Sequence, residues 1–262
     1  MTDQEKSVLS FVAHHPLLNI FTLHALLRPD AETHAIKPTQ QKITHLFKQQ
    51  LLETRLWSTE KTPLERERYL LTPVALKFMA IRQGEPFSYY FVHPRYRMGD
   101  DEQVWRQWGV AGLDSQKWHT RGLYTFMRQL LKKTHERGEI IYEWKSAHNS
   151  VRWYMDMFLQ GEGHARPDAE LIFAPSLTAQ RTTLLLEYDR GTTGIFEYHR
   201  KFKAYIDFQL ITGKTLPLIV VVTPTQRSAQ KIQQVLTQLG SSLHVVVLLE
   251  HEVLSKGLTQ AL

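Results

Sequence analysis

The segment TTLLLEYDR, residues 182–190, limits what this chain can become more than any other stretch. Read as a strand, it sends Leu184, Leu186 and Tyr188 to one side and Thr183, Leu185, Glu187 and Asp189 to the other. Both sides are largely apolar until the charges begin. A strand apolar on both faces is a central strand. Two carboxylates at the end of such a strand are costly unless a cation, a basic partner or water meets them.

Hydrophobic period and chain breakers supply the elements around it. A helix is expected over roughly 120–137, with Leu123, Phe126, Met127, Leu130 and Leu131 on one side, and a strand at Ile140 to Trp144. The stretch SAHNSVRWYMDMFLQGEGHA is expected to be irregular or partly helical. Strands follow at PDAELIFAP and TTLLLEYDR, then an amphipathic helix at about Ile195 to Ile211, the strand LPLIVVV, a helix at about Gln226 to Leu239 and the strand LHVVVLL. The order α-β-β-β-α-β-α-β over residues 118–262 describes an α/β architecture, a mixed sheet flanked by helices.

Asp168 opens the strand next to TTLLLEYDR, directly after Pro167. Paired in register, it sits beside Glu187. Asp168, Glu187 and Asp189 form an oxygen-only set, which suits Mg²⁺ or Mn²⁺, hard ions that keep several waters. An ion so held polarises a phosphate and generates hydroxide near neutral pH. Lys201 and Lys203, on the following helix, are the candidates to orient that hydroxide or stabilise developing charge. A plainer reading stands beside this one. Glu197 and Lys201 are spaced for a helix-surface ion pair, Asp189 before Arg190-Gly191 can serve a turn, and Thr192 or Thr193 can cap the next helix.

Residues 1–82 read as short helices and a hairpin. Val8, Leu9, Phe11 and Val12 recur at helical spacing until Pro16, and a second helix covers roughly Ile20 to Leu27. A third follows Pro38 with Ile43, Leu46 and Phe47 as its buried stripe. The segments LETRLW and RERYLLT form a ribbon. This is the order of a winged helix-turn-helix, whose third helix enters the major groove. Its outward residues are expected to be Thr39, Gln40, Gln41, Lys42, Thr44, His45 and Lys48, with Lys61, Arg66 and Arg68 on the wing. The same pattern also serves protein contacts. Residues 83–117 mix aromatics with arginines, as a single-strand stacking surface or a linker packed on its neighbours.

The net charge of +6 favours an anionic partner, of which nucleic acid is the commonest. The absence of cysteine excludes disulfides, zinc ribbons and thiol catalysis, and fits a cytoplasmic protein. The start MTDQEKSVLSF is polar and acidic, unlike a signal peptide, and the longest apolar runs are too short to span a bilayer. The histidines lack ligand spacing. Neither a phosphate-binding loop nor a dinucleotide fingerprint is present, and no serine has a nucleophile-elbow context.

The strand order and acidic positions resemble the PD-(D/E)xK nuclease superfamily. Pro167-Asp168 matches its PD and Glu187 its second acid, while Asp189 stands where the lysine is expected. In some members that lysine lies on the next helix, a role open here to Lys201 or Lys203. The chain also resembles, along nearly its whole length, the replication-relaxation proteins of plasmids and other mobile elements. The matching parts are Tyr69-Leu70-Leu71-Thr72-Pro73 leading into Ala75 (without the family's glycine), His119, the RPDA of Arg166 to Ala169, the run Leu186 to Thr192, and Lys201 with Tyr205.

The resemblance implies DNA work: plasmid replication, relaxation or transfer. Three functions remain open on these residues. They are a Mg²⁺-dependent DNA endonuclease or nickase, a non-catalytic DNA-binding replication or mobilisation factor on a nuclease-like scaffold, and a transcriptional regulator that senses a ligand. Expected partners are double-stranded DNA, other replication or transfer proteins and a second copy of the chain in a homodimer. No membrane association is expected.

Overall fold

The structure, a computed structural model, describes residues 1–32, 35–58, 60–86, 89–92, 106–107, 110–156, 161–240 and 243–262. The chain divides into two compact units, Met1–Thr120 and Arg121–Leu262.

The first unit opens with α1 (Asp3–His14), α2 (Ile20–Leu27) and α3 (Lys37–Lys48). Thr2 and Glu5 start α1 as a reciprocal capping box, and Asn19 caps α2 by accepting from Thr22 N–H at 3.0 Å. The antiparallel ribbon β1 (Leu52–Leu56) and β2 (Glu67–Leu71) follows, with α4 (Pro63–Arg66) between its strands. Then comes α5 (Pro73–Gln83), capped by Thr72 and ended by Gly84 at φ +69°. Val8, Leu9, Val12, Leu23, Ile43, Leu46, Tyr69, Leu71, Leu76 and Met79 are buried. The apolar spacing of each helix thus faces a shared core.

Little of the aromatic and arginine-rich stretch is described. Its visible parts are β3 (Phe91–Val92) paired with β4 (Arg106–Gln107), and α6 (Val110–Ser115). Of the stacking surface or linker expected over 83–117, residues 87–88, 93–105 and 108–109 fall outside the described residues. Gln107 is buried. Its amide donates to Val12 O at 2.7 Å and accepts from Leu71 N–H at 3.1 Å, tying α1 to the ribbon.

The second unit is an α/β layer built on a five-stranded mixed sheet. α7 (Lys117–Glu136) leads into it, followed by β5 (Ile140–Ser146), β6 (Arg152–Asp156), β7 (Gly161–Ala165), β8 (Ala169–Ala174) and β9 (Thr182–Tyr188). After these come α8 (Ile195–Thr212), β10 (Leu218–Thr223), α9 (Gln226–Leu239), β11 (Val245–Leu249), α10 (Glu250–Lys256) and α11 (Leu258–Ala261). The strand order is β11-β10-β9-β8-β5. β9 is the middle strand, parallel to β10 and antiparallel to β8.

Both faces of β9 are covered, as its composition requires. On one face Leu185 joins Ile219 and Val221 under Tyr198, Phe202, Tyr205 and Phe208 of α8 and Ile232 and Val235 of α9. On the other, Tyr188 stacks on Phe126 of α7 with ring centroids 5.5 Å apart. Gly122 makes this approach feasible: a Cβ there would lie 2.7 Å from the Tyr188 ring.

One expectation fails. The stretch expected to be irregular or helical contains the hairpin β6–β7, paired from Arg152↔Ala165 to Asp156↔Gly161. Its side chains alternate: Trp153 and Met155 face solvent while Arg152 and Tyr154 turn inward. Aromatic strand formers outweigh the polar neighbours that obscured this period. α10 and α11 also extend the chain beyond the last expected strand.

Candidate active site

The β8–β9 register builds the site. Ala169 pairs with Leu186, so Asp168, one residue before β8, arrives beside Glu187 near the end of β9. The backbone fixes this approach twice. Asp168 N–H donates to Leu186 O at 3.0 Å, and Tyr188 N–H donates to Asp168 Oδ2 at 2.8 Å.

Glu187 faces α8. Tyr198, Lys201, Tyr205 and Phe208 share the sheet-facing side of that helix at three- and four-residue steps. Lys201 Nζ lies 3.4 Å from Asp168 Oδ2 and also pairs with Glu187 Oε2. Tyr205 OH donates to Glu187 Oε1. Exposure falls across the group: the Lys201 side chain is 36 % exposed, Asp168 15 % and Glu187 4 %. The opening therefore lies on the Lys201–Asp168 side, with Glu187 at the back.

The electrostatics follow from this depth. Burial pushes the Glu187 carboxyl up to about 8; Lys201 opposes the rise and Asp168 adds to it. Desolvation alone lowers the Lys201 ammonium, but Asp168 and Glu187 outweigh it and raise the group. The Tyr205 hydroxyl is held well above its usual range by burial and by Glu187. Two carboxylates thus share one ammonium. A proton on Glu187 or a further cation completes the charge balance.

Asp189 does not join this group. Its Oδ1 accepts from Thr193 at 2.9 Å and its Oδ2 from Thr223 at 2.8 Å. Thr193 therefore serves Asp189, and Gly194 is the N-cap of α8. Glu197 accepts from Gly194 N–H and does not pair with Lys201. Lys203 lies on another side of α8 and pairs with Asp207 at 2.8 Å.

Among the described residues no group of three or more His, Cys, Asp and Glu is spaced to hold a metal ion. Asp168 and Glu187 are oxygen donors of the kind Mg²⁺ takes, one or two carboxylates beside several retained waters. Glu187 Oε2 is buried and already meets the Lys201 ammonium, so an ion bound there would share that oxygen with Lys201.

Sequence reasoning overlooked a second group on the same face. Glu170, two residues beyond Asp168, is buried and paired with Lys145 at 2.8 Å and with Arg152. Burial opposes ionisation of Glu170, yet Lys145 and Arg152 prevail and lower it. The alternation of β8 places Asp168 and Glu170 on one side, a signal that was present in the PDAE segment.

In the first unit, α3 exposes Gln41, Thr44, His45 and Lys48, while Gln40 and Lys42 are half-buried. His45 Nδ1 lies 2.5 Å from Glu5 Oε1, so its ring is tied to α1. Lys61 and Arg66 are exposed on the connection between β1 and β2. Two expected outward residues lie inside. Thr39 is buried, its hydroxyl 2.9 Å from His24 Nδ1. Arg68 is buried against Glu60 and stacks over Trp57 at 4.3 Å. Each meets a polar or aromatic partner that sequence spacing does not reveal.

No helix among the described residues is long and apolar enough to cross a membrane. Searches of curated proteins and of solved structures give no match. The family described as Replication-relaxation matches residues 9–222, a span that includes Asp168, Glu187, Lys201 and Tyr205. With more than half of its length matched, the chain belongs to the replication-relaxation family.

Proposed function

We propose that this protein is a Mg²⁺-dependent DNA endonuclease or nickase acting in the replication, relaxation or transfer of a plasmid or other mobile element. The observation that carries the reading is the meeting of Asp168 and Glu187 around Lys201 at adjacent strand ends. The family description is consistent with such DNA work. The arrangement resembles a PD-(D/E)xK site whose lysine has moved from the strand to the helix.

Asp168 and Glu187 would hold the ion; when bound, it supplies Lewis acidity toward a phosphate and lowers the pKa of bound water. The protein's own groups do the rest. Tyr205 holds Glu187 Oε1 in place, and Tyr188 N–H holds Asp168. Lys201, the most exposed member, presents its ammonium where a phosphate oxygen enters. The three-helix and ribbon unit, read as a winged helix, would grip the duplex through Gln41, Thr44, Lys48, Lys61 and Arg66.

The test is nicking of supercoiled plasmid by purified protein in Mg²⁺. Asp168→Ala and Glu187→Ala should each abolish nicking and leave duplex binding intact. Undiminished nicking by the purified double variant rejects the reading. One observation favours a second function, a non-catalytic DNA-binding factor: Lys201 already bridges both carboxylates, as a structural ion pair does. Duplex binding without cleavage under any divalent ion, and no Mn²⁺ between Asp168 and Glu187 in a soaked crystal, would favour it.

A further inference from the structure

The β6–β7 hairpin presents an outer face with no role in the cluster beneath it. Cross-strand pairing sets Trp153 opposite His164 and Met155 opposite Glu162. The Trp153 and His164 rings lie 4.9 Å apart, tilted by 48°. Trp153 is 62 % exposed and Met155 54 %, although the inner face of the same hairpin packs on α8 through Tyr154 and Phe208. Two residues beyond His164, Arg166 is exposed and forms no ion pair among the described residues. Trp153 also walls an open cleft of about 420 Å³ that Arg152 and Lys214 line as well.

We propose that this face binds an unpaired nucleobase of a DNA strand, stacked on Trp153 and His164, with Arg166 and Lys214 taking the flanking phosphates. The site rests on the nuclease reading for its purpose, since it would seat the strand that enters the Asp168–Glu187 group. Three observations support DNA as the occupant. An exposed aromatic pair flanked by cations is the composition of a single-strand stacking platform, because every base offers a π-face and every linkage a negative charge. The exposed acid, Glu162, sits across from Met155, away from Arg166 in sequence, so the acidic and basic parts of the face are separated. The chain then runs from His164 to Asp168 in four residues, at most about 13 Å of extended backbone. Neighbouring nucleotides of one strand could reach both.

Anisotropy of a labelled oligothymidylate, measured with the full chain in EDTA, tests the site without turnover. Trp153→Ala should weaken single-strand binding roughly ten-fold, the scale of one lost base–aromatic stack, and leave duplex binding unchanged. Trp153→Phe should retain most of the affinity and remove the tryptophan quenching that accompanies it. Arg166→Ala should weaken binding and flatten its salt dependence. Wild-type affinity in Trp153→Ala, or full quenching in Trp153→Phe, overturns the proposal; the phenylalanine variant decides should the alanine variant misfold. Single-strand binding independent of Trp153 in a protein that nicks plasmid rejects this site alone. Intact stacking without metal-dependent nicking rejects the nuclease reading alone.

Discussion

Tyr205 donates its phenolic hydrogen to Glu187 Oε1 from the helical turn after the one that carries Lys201. The two helix residues therefore divide one carboxylate between them: the hydroxyl holds one oxygen and the ammonium pairs with the other. Tyr205→Phe keeps the ring and removes the donor. It leaves Glu187 Oε1 buried without its hydrogen bond, a loss of roughly 1–3 kcal/mol in stability. The expected result is a lower melting temperature together with slower single-turnover nicking. An unchanged rate would show that Tyr205 serves folding alone.

Lys201 and Lys203 are separable by substitution. Lys201 reaches the carboxylates, whereas Lys203 pairs with Asp207. Lys201→Ala should reduce single-turnover nicking by about 100-fold or more, as loss of a preorganised charge at a phosphate does. Lys203→Ala should leave the rate near wild type. Equal effects on the rate would contradict the placement of Lys201.

Stability of the metal-free protein should depend on pH through Glu187. Its carboxyl sits at about 8 in the folded state against 4.5 for the ordinary group. Between those values the folded state keeps a proton that the unfolded chain has released, so stability falls as pH rises through the window. Lys201 is raised above 10.5, so its contribution is intact throughout and is lost only at higher pH. Glu170, lowered by Lys145 and Arg152, acts in the opposite sense: its stabilisation is present above 4.5 and lost in acid. Denaturant unfolding in EDTA should show a decline toward pH 8 that Glu187→Gln reduces. Glu250, also raised by burial, contributes a slope of the same sign that this variant retains. An identical slope in wild type and Glu187→Gln would assign the proton elsewhere.

The buried Arg68–Glu60 pair and the exposed Lys48 should separate stability from DNA affinity. Arg68→Ala takes the guanidinium away from a buried carboxylate and should cost about 3–5 kcal/mol of stability. Lys48→Ala should leave the melting temperature unchanged, weaken duplex binding and lower its salt dependence by about one unit of slope. Duplex binding insensitive to Lys48 and Gln41 together would turn this helix face toward a protein partner.

The carboxylate pair was legible because strand period and the PD spacing act locally: Glu187 and Asp168 follow from alternation and one register. Asp189 has the same parity as Glu187, but the turn hydroxyl of Thr193 and the β10 hydroxyl of Thr223 claim it. Thr223 lies far along the chain, beyond any local pattern. The choice between Lys201 and Lys203 was present in the phase of Tyr198, Phe202, Tyr205 and Phe208, which orients α8 on the sheet. Thr39 and Arg68 show the converse. Polar residue type suggested an outward face, and His24, Glu60 and Trp57 instead provide internal partners.

The antiparallel pairing of β8 with β9 has one further effect. It gathers Asp168 and Glu187 at one end of the pair and leaves the connection at 175–181 at the other, about 20 Å away along the strands. Leu177 at that remote turn is 81 % exposed. Insertions, tags or fused partners placed there would lengthen the hairpin's far tip without altering the distance between the carboxylates. The same turn is thus a natural attachment point for a fluorescent label or an immobilising anchor that leaves the Asp168–Glu187 group undisturbed.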